Sequence, residues 1–428
     1  MTVPVLKGGK YLVLAALLTL SGATAAQLLP PLGGGLGQVT RGVDRLGDTV
    51  DSTLTDTANR ASGLVDRLAR TRLGRLDALV RQNPQALEFD ARGDPAVKGE
   101  LIALDAPAGA VAAATAAGFV VVEHGEIEGL GIRSTTLRAP AGLNLAKAEK
   151  QLSRIMPGAT IQSNPIYQPS GAAAGGSARP VAASPSGPGA TIGLIDGGVA
   201  AHPTLPRAIV QRGFALGAPL PGDHGTAIAS ILVGKGAVRG VSPRSRLLVA
   251  DIYGRDPRGG NALAIARALG WLSVNGAAVV NISLAGPANP LLARAVAATD
   301  RRGVLMVAAV GNDGAASPPA FPASYPQVIA VTGVDRRGRA LIEAGKAMHL
   351  DFAAPGADLI AAKAAGGTAR MRGTSFAAPF VAGRLAQLAA GGALPRARAV
   401  ALLSNEASKG GAARLYARGI VCAPCATR

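Results

Sequence analysis

The chain is expected to fold as an α/β protein with a doubly wound, mostly parallel sheet, preceded by a small α+β unit and an N-terminal helical segment. Three observations predict this. From about residue 190 to 421, short apolar runs alternate with helical patterns. Between about 96 and 168 the pattern reads strand, helix, strand, strand, helix, strand. Further upstream, apolar residues recur every three or four positions. A chain of 428 residues, 48% of them apolar, is long enough for two or three folded units with a sizeable core.

The large C-terminal section, 190–428, carries apolar runs at 191–195, 247–250, 279–282, 304–309 and 328–331. They are apolar at successive positions rather than alternate ones, so both faces of each strand should be buried. Helical patterns at 226–233, 262–272 and 291–302 lie between them. Strands buried on both faces and separated by helices imply a parallel sheet.

The section before it, 96–168, opens with a strand at 100–104 and an Ala-rich helix at 107–118. Pro107 falls in the first turn of that helix, where a missing N–H costs nothing. Strands are expected at 119–123 and 132–138. A helix at 145–156 then puts Leu145, Ala148, Leu152 and Ile155 on one face and ends at Pro157-Gly158, before a last strand at 159–163. This β-α-β-β-α-β order is the ferredoxin-like pattern, an arrangement that hosts many functions.

In 26–95, Val43, Leu46, Val50 and Leu54, then Leu64, Leu68, Leu73, Leu76 and Val80, indicate one or two amphipathic helices. Asn83-Pro84 ends the last of them. Docking on the rest of the chain is the default role, with a partner helix or a membrane surface as the other two. Residues 169–189 are rich in Ala, Gly, Ser and Pro, the composition of a flexible linker that proteases nick easily.

Residues 1–25 have the layout of a secretory signal peptide. Lys7 and Lys10 precede the apolar run 11–20, and Ala23-Thr24-Ala25 fits a small-residue cleavage site. The run is too short for a membrane span, which takes about 20 residues. A secreted protein, periplasmic or extracellular, with no stable membrane span is therefore expected. The net charge of +18 comes with no compact basic run interleaved with aromatics, and aromatics are only 3% of the chain. A solvated basic surface is expected and no nucleic-acid partner. The two cysteines, Cys422 and Cys425, suit a local disulfide in an exported protein. No metal site and no cofactor are expected.

Three motifs carry chemistry. Ile192-Gly193-Leu194-Ile195-Asp196-Gly197-Gly198 is a strand ending on an acid. His224-Gly225-Thr226 opens a helix, and Gly373-Thr374-Ser375-Phe376-Ala377-Ala378-Pro379 sets a serine on a Gly-rich turn before a helix. Acyl transfer needs a nucleophile, a base to take its proton and a group that holds the base in one tautomer. An acid at a strand's carboxyl end and two groups at helix starts can meet above one edge of an open α/β sheet. Asp196 or His224 alone would be weak signals; the seven-residue serine motif is specific.

The Asp…His…Ser order with these motifs resembles the subtilisin family of serine proteases. Further segments fit in register: Gly240-Val241-Ser242-Pro243, Ser283-Leu284-Ala285-Gly286, Gly311-Asn312-Asp313-Gly314 and Ala354-Pro355-Gly356. The resemblance covers about 191–421. It implies a serine endopeptidase in which Ser375 attacks the scissile carbonyl, His224 is the base and Asp196 orients it. It also implies that the Asn312 amide and the Ser375 N–H hold the oxyanion, and that Ser283, Leu284, Ala285 and Gly286 bind substrate as an added strand. The 96–168 unit would be a prodomain acting as an intramolecular inhibitor, with 164–168 entering the cleft and processing sites in the linker.

Some positions depart from the family pattern. Gly197 stands where Ser or Thr is usual, and the stretch from His224 to Gly240 is short and lacks an Asn-rich loop, so no tight calcium is expected there. Two other readings compete: a catalytically silent binding or scaffold protein on the same fold, and a narrow-specificity maturation protease that docks one partner through its N-terminal helices. Retention of all four chemical groups argues against the silent scaffold.

Overall fold

A computed structural model describes residues 63, 66–174, 188–409 and 413–421. The expected signal peptide, most of the upstream helical pattern, the middle of the linker, and Cys422 and Cys425 lie outside the described residues.

The C-terminal section is built on a seven-stranded sheet. Across the sheet the strands run Phe352–Pro355, Val328–Val334, Leu305–Ala309, Val279–Ile282, Ile192–Asp196, Leu247–Asp251 and Val210–Gly213, every neighbouring pair parallel. Successive residues of one strand serve opposite cores. Leu194 packs with the helices Asp223–Val233 and Ala378–Leu388, whereas Ile195 packs with Ala262–Val274 and Pro290–Arg301. That double burial is why the inner strands read as apolar runs, whereas the edge strand Val210–Gly213, with Gln211 and Arg212 and only partial burial, carries no such mark. The fold is the doubly wound α/β arrangement expected, with strand bounds shifted by at most a few residues.

Residues 87–165 form an antiparallel sheet ordered Val120–Ile127, Ile132–Arg138, Pro95–Leu104, Thr160–Pro165. Helices Ala108–Ala116 and Leu145–Ile155 cover one face through Leu137, Leu145, Ala148 and Leu152. The other face turns Ile102, Leu104, Ile127 and Ile132 onto the core of helices Ala262–Val274 and Pro290–Arg301. Both of those helices have an Asn N-cap, Asn261 and Asn289. Each also gives a first-turn N–H to the neighbouring sheet: Leu263 to Asn164 Oδ1 and Leu291 to Gln162 Oε1, both 3.1 Å. Helix starts leave such donors unpaired, and buried polar side chains from the sheet satisfy them.

Two expectations need revision. The sheet begins earlier than residue 96, because Leu87–Phe89, inside the N-terminal segment but past the expected end of its helix, pairs antiparallel with Pro95–Val97. The hairpin between them is closed by Asp90, whose carboxylate accepts the backbone N–H of Arg92 and of Asp94. The helix before it covers 66–82 and stops at Asn83, as the Asn-Pro signal indicated. The second revision concerns the linker. Residues Ala172–Ala174 are a strand paired with Arg370–Arg372, so the linker's start is held by the neighbouring hairpin.

His349, assigned no role by its sequence context, fastens a loop to the sheet. Its Nε2 lies 2.9 Å from the Val328 carbonyl and 3.4 Å from an Asp351 oxygen. The bond to Asp351 raises its pKa above the ordinary 6.5, against an opposing effect of partial burial. A pKa raised in the folded state gives stability that is full below the unfolded value and lost as pH rises through the folded one. In an inactive Ser375→Ala background, His349→Gln should therefore lower the melting temperature most below pH 6.5. The difference should shrink at pH values well above it, which thermal melts at acid and alkaline pH would check.

Candidate active site

The three motif residues meet at the carboxyl edge of the large sheet. Asp196 ends a central strand and is buried at 1% exposure. Its register partner on one side is Asp251, and on the other side Ile195 faces Ile282. His224 sits in the first turn of Asp223–Val233. Gly225 makes the approach possible, because a Cβ there would come within 2.3 Å of the Gly197 carbonyl oxygen. His224 Nδ1 lies 2.9 Å from both Asp196 oxygens, and Nε2 lies 3.1 Å from Ser375 Oγ. A second acceptance, from the Gly197 N–H at 2.7 Å, fixes the Asp196 carboxylate.

Ser375 lies fully buried in the short 3-10 turn Thr374–Phe376, directly before the helix Ala378–Leu388. Its turn is tied to two other segments. Asn312 Oδ1 accepts the Thr374 N–H at 2.9 Å, and Thr374 Oγ1 donates to the Gly311 carbonyl at 3.0 Å. The Ser283 hydroxyl donates to the Ser375 carbonyl at 2.9 Å and itself accepts from Asn281 Nδ2 at 2.8 Å. With Oδ1 engaged, Asn312 Nδ2 is a buried donor with no acceptor among the described residues. An imidazole aligned between a buried carboxylate and a hydroxyl is built to take the hydroxyl's proton, and a fixed amide beside it can bind a developing oxyanion.

The cleft holds the chain's own residues 166–174. Gln168–Pro169 pair antiparallel with Leu284–Ala285, and the Ser170 N–H donates to the Ser283 carbonyl at 3.2 Å. On the opposite side Ile166 bridges to Asn261, and the Tyr167 N–H donates to the Gly260 carbonyl at 2.8 Å. Tyr167 is wholly buried. Its ring lies over Gly286, where a Cβ would come within 2.4 Å, and its hydroxyl donates to the Pro287 carbonyl at 2.7 Å. Burial pushes its phenol well above the usual tyrosine range. The Ser375 N–H donates to the Ser170 carbonyl at 3.0 Å, and Ser375 Oγ also contacts that carbonyl oxygen. A Cβ on Gly171 would lie 2.4 Å from Ser375 Oγ. The Ser170–Gly171 peptide bond is thus seated on the serine.

The structure therefore brings together Asp196, His224, Ser375, Asn312 and the stretch from Ser283 to Gly286. The other histidines lie elsewhere. His202 bonds to Thr204 and to the Gly367 carbonyl, joining two loops, and His124 bonds to Thr135 on the antiparallel sheet. Sequence reasoning missed the second wall, Tyr253 with Gly259, Gly260 and Asn261. Tyr253 Oη reaches the Tyr167 carbonyl at 3.3 Å. Gly259-Gly260 before the Asn261 cap was the available signal for a close backbone approach.

Residues 187–419 match the Subtilase family of peptidases, Peptidase_S8. Subtilisin BL from Lederbergia lenta is 34% identical over 255 residues, spanning 57% of this chain and 92% of that protein. Among solved structures, the protease domain of PatA is 31% identical with a TM-score of 0.50, over 56% of this chain and 95% of that one. Fervidolysin from Fervidobacterium pennivorans, a keratinolytic enzyme related to subtilisin, shares the fold at 20% identity and a TM-score of 0.66. It covers 80% of this chain, more than residues 187–419 alone could supply, and 63% of its own. The chain belongs to the subtilase family and is a serine protease of the subtilisin type.

Proposed function

We propose that the chain is an exported serine endopeptidase made as a self-processing zymogen, with Asp196, His224 and Ser375 as its catalytic triad. The observation that carries this reading is the chain's own tail, paired as a strand on both walls of the cleft with its Ser170–Gly171 bond against Ser375. Export is supported by the charged-then-apolar layout of residues 1–25.

In this mechanism Ser375 Oγ attacks the Ser170 carbonyl carbon while His224 Nε2 takes the hydroxyl proton. Asp196 holds the imidazole by its Nδ1–H and stabilises the imidazolium. The Ser375 N–H and Asn312 Nδ2 bind the oxyanion. The carbon–nitrogen bond to Gly171 then breaks as His224 protonates the leaving amine, and water, activated in turn by His224, hydrolyses the ester. Protein substrates would take the same path as an added strand along Ser283 to Gly286.

The antiparallel sheet and its tail act here as the built-in inhibitor. Tyr167 helps hold the tail: burial of an apolar ring of this size stabilises by about 1.5–3 kcal/mol, and the Pro287 carbonyl satisfies its hydroxyl. The two-sided strand pairing fixes which bond faces Ser375. The mature enzyme would begin at Gly171, which narrows the processing expected in the linker to a single bond.

Intact-mass analysis tests this. The wild-type chain should yield two pieces divided between Ser170 and Gly171, and Ser375→Ala should remain continuous. Identical cutting of both would show that another protease does it. In the mature enzyme, Asn312→Ala should lower turnover by ~10²–10³, a size known from the equivalent donor of subtilisin itself rather than from this geometry. Steady-state kinetics on casein-derived peptides would check it; an unchanged turnover number would remove Asn312 from the oxyanion site.

A further inference from the structure

Helix 66–82 has no part in the chemistry above, yet it lies across the tail that fills the cleft. One stripe of it carries Leu68, Arg72, Arg75, Leu76 and Leu79, spaced as one helical face. Leu73, grouped with the apolar face by its spacing in the sequence, is instead 61% exposed. The C-terminal half is anchored beside the antiparallel sheet, where Leu79 and Val80 pack on Leu87, Val97 and Ile166.

The N-terminal half reaches the rim next to Asn312. Arg72 Nε lies 3.4 Å from Asp313 Oδ2, and Arg75 Nη2 lies 2.9 Å from Asp313 Oδ1. Leu68 is seated over Gly314, where a Cβ would come 2.9 Å from its Cδ1. Arg75 also donates from Nε to Gln168 Oε1 at 2.9 Å. One guanidinium therefore joins the helix, the tail two residues before Ser170, and the protease rim. The planar fork of arginine suits such a double contact.

We infer that helix 66–82 is a clasp that keeps the tail in the cleft after the Ser170–Gly171 bond is cut; this rests on the zymogen reading. Each link is partly exposed and weak taken singly. Helix, sheet and tail nevertheless belong to one covalent piece after the cut. A tail that lifts is held near its site by the helix, and a helix that lifts is held by the tail, so rebinding outruns escape. Asp313 is the protease group on which both arginines converge, so it governs how fast the inhibitory piece leaves.

The full-length chain, refolded from denaturant, can be followed by two readouts: intact mass for the cut, and fluorophosphonate labelling for free Ser375. Arg72→Gln/Arg75→Gln should cut at the same bond and pace as wild type. Its Ser375 should then become labelled roughly five- to thirty-fold sooner after the cut. Arg67→Gln/Arg70→Gln removes the same charge from exposed positions of the helix and should behave as wild type. The clasp is overturned if the first variant labels no faster than wild type, or if the second speeds labelling equally.

Failure of the zymogen reading would look different, as no cut at 170–171 in wild type. The clasp is then judged in the uncut Ser375→Ala chain by amide hydrogen exchange. Faster exchange at Tyr167 and Ser170 on adding Arg72→Gln/Arg75→Gln upholds it, and equal exchange overturns it.

Discussion

The parallel register that sets Ile195 opposite Ile282 and Asp196 opposite Asp251 is the constraint from which the site follows. It brings the strand ends to one level. The residue after Ile282, Ser283, therefore emerges beside the acid rather than a turn above or below it. Every later contact uses that level edge. His224 descends onto Asp196 through the close passage of Gly225 over Gly197, and Ser375 comes up against His224 from the start of another helix. A slip of one residue in the central pair would turn Asp196 to the opposite face and strip the imidazole of its partner.

The antiparallel sheet meets the protease section through two kinds of contact. Apolar residues of its open face complete the core over helices Ala262–Val274 and Pro290–Arg301. Asn164 and Gln162 then supply acceptors at the starts of those helices. The apolar contact gives area, and the polar contacts give alignment, because an N–H at a helix start donates over a narrow range of direction. Asn164 is followed within three residues by Tyr167. The position of the sheet thus delivers the tail to the cleft in a set register.

Much of the fold could be read from the sequence because double burial leaves a clear mark: five apolar runs, the first four of them separated by helical patterns. Ser375 was legible for a different reason. The Gly-Thr-Ser-Phe-Ala-Ala-Pro turn has little freedom to vary while Ser375 is packed on every side. The second wall of the cleft was not legible, since it acts through the backbone of Gly260 and Asn261, and backbone contacts place weak demands on residue type. The strand Leu87–Phe89 was hidden because its pairing depends on a hairpin closed by one buried aspartate, a feature without periodicity. The arginine pairs to Asp313 were equally hidden, because charged residues on a helix ordinarily face water.

The Ser283 hydroxyl, bonded to the Ser375 carbonyl, has a consequence for precision. The segment that pairs with the chain's own tail and the turn that carries Ser375 are thereby parts of one frame. A breathing motion that carried Leu284 and Ala285 outward would draw the Ser375 backbone along with it, so the two reacting partners would drift together rather than apart. Attack demands tolerances of a fraction of an ångström, and correlated displacement protects them better than stiffness in either segment alone. The fold tolerates movement of the whole edge while conserving the one separation that matters to the reaction.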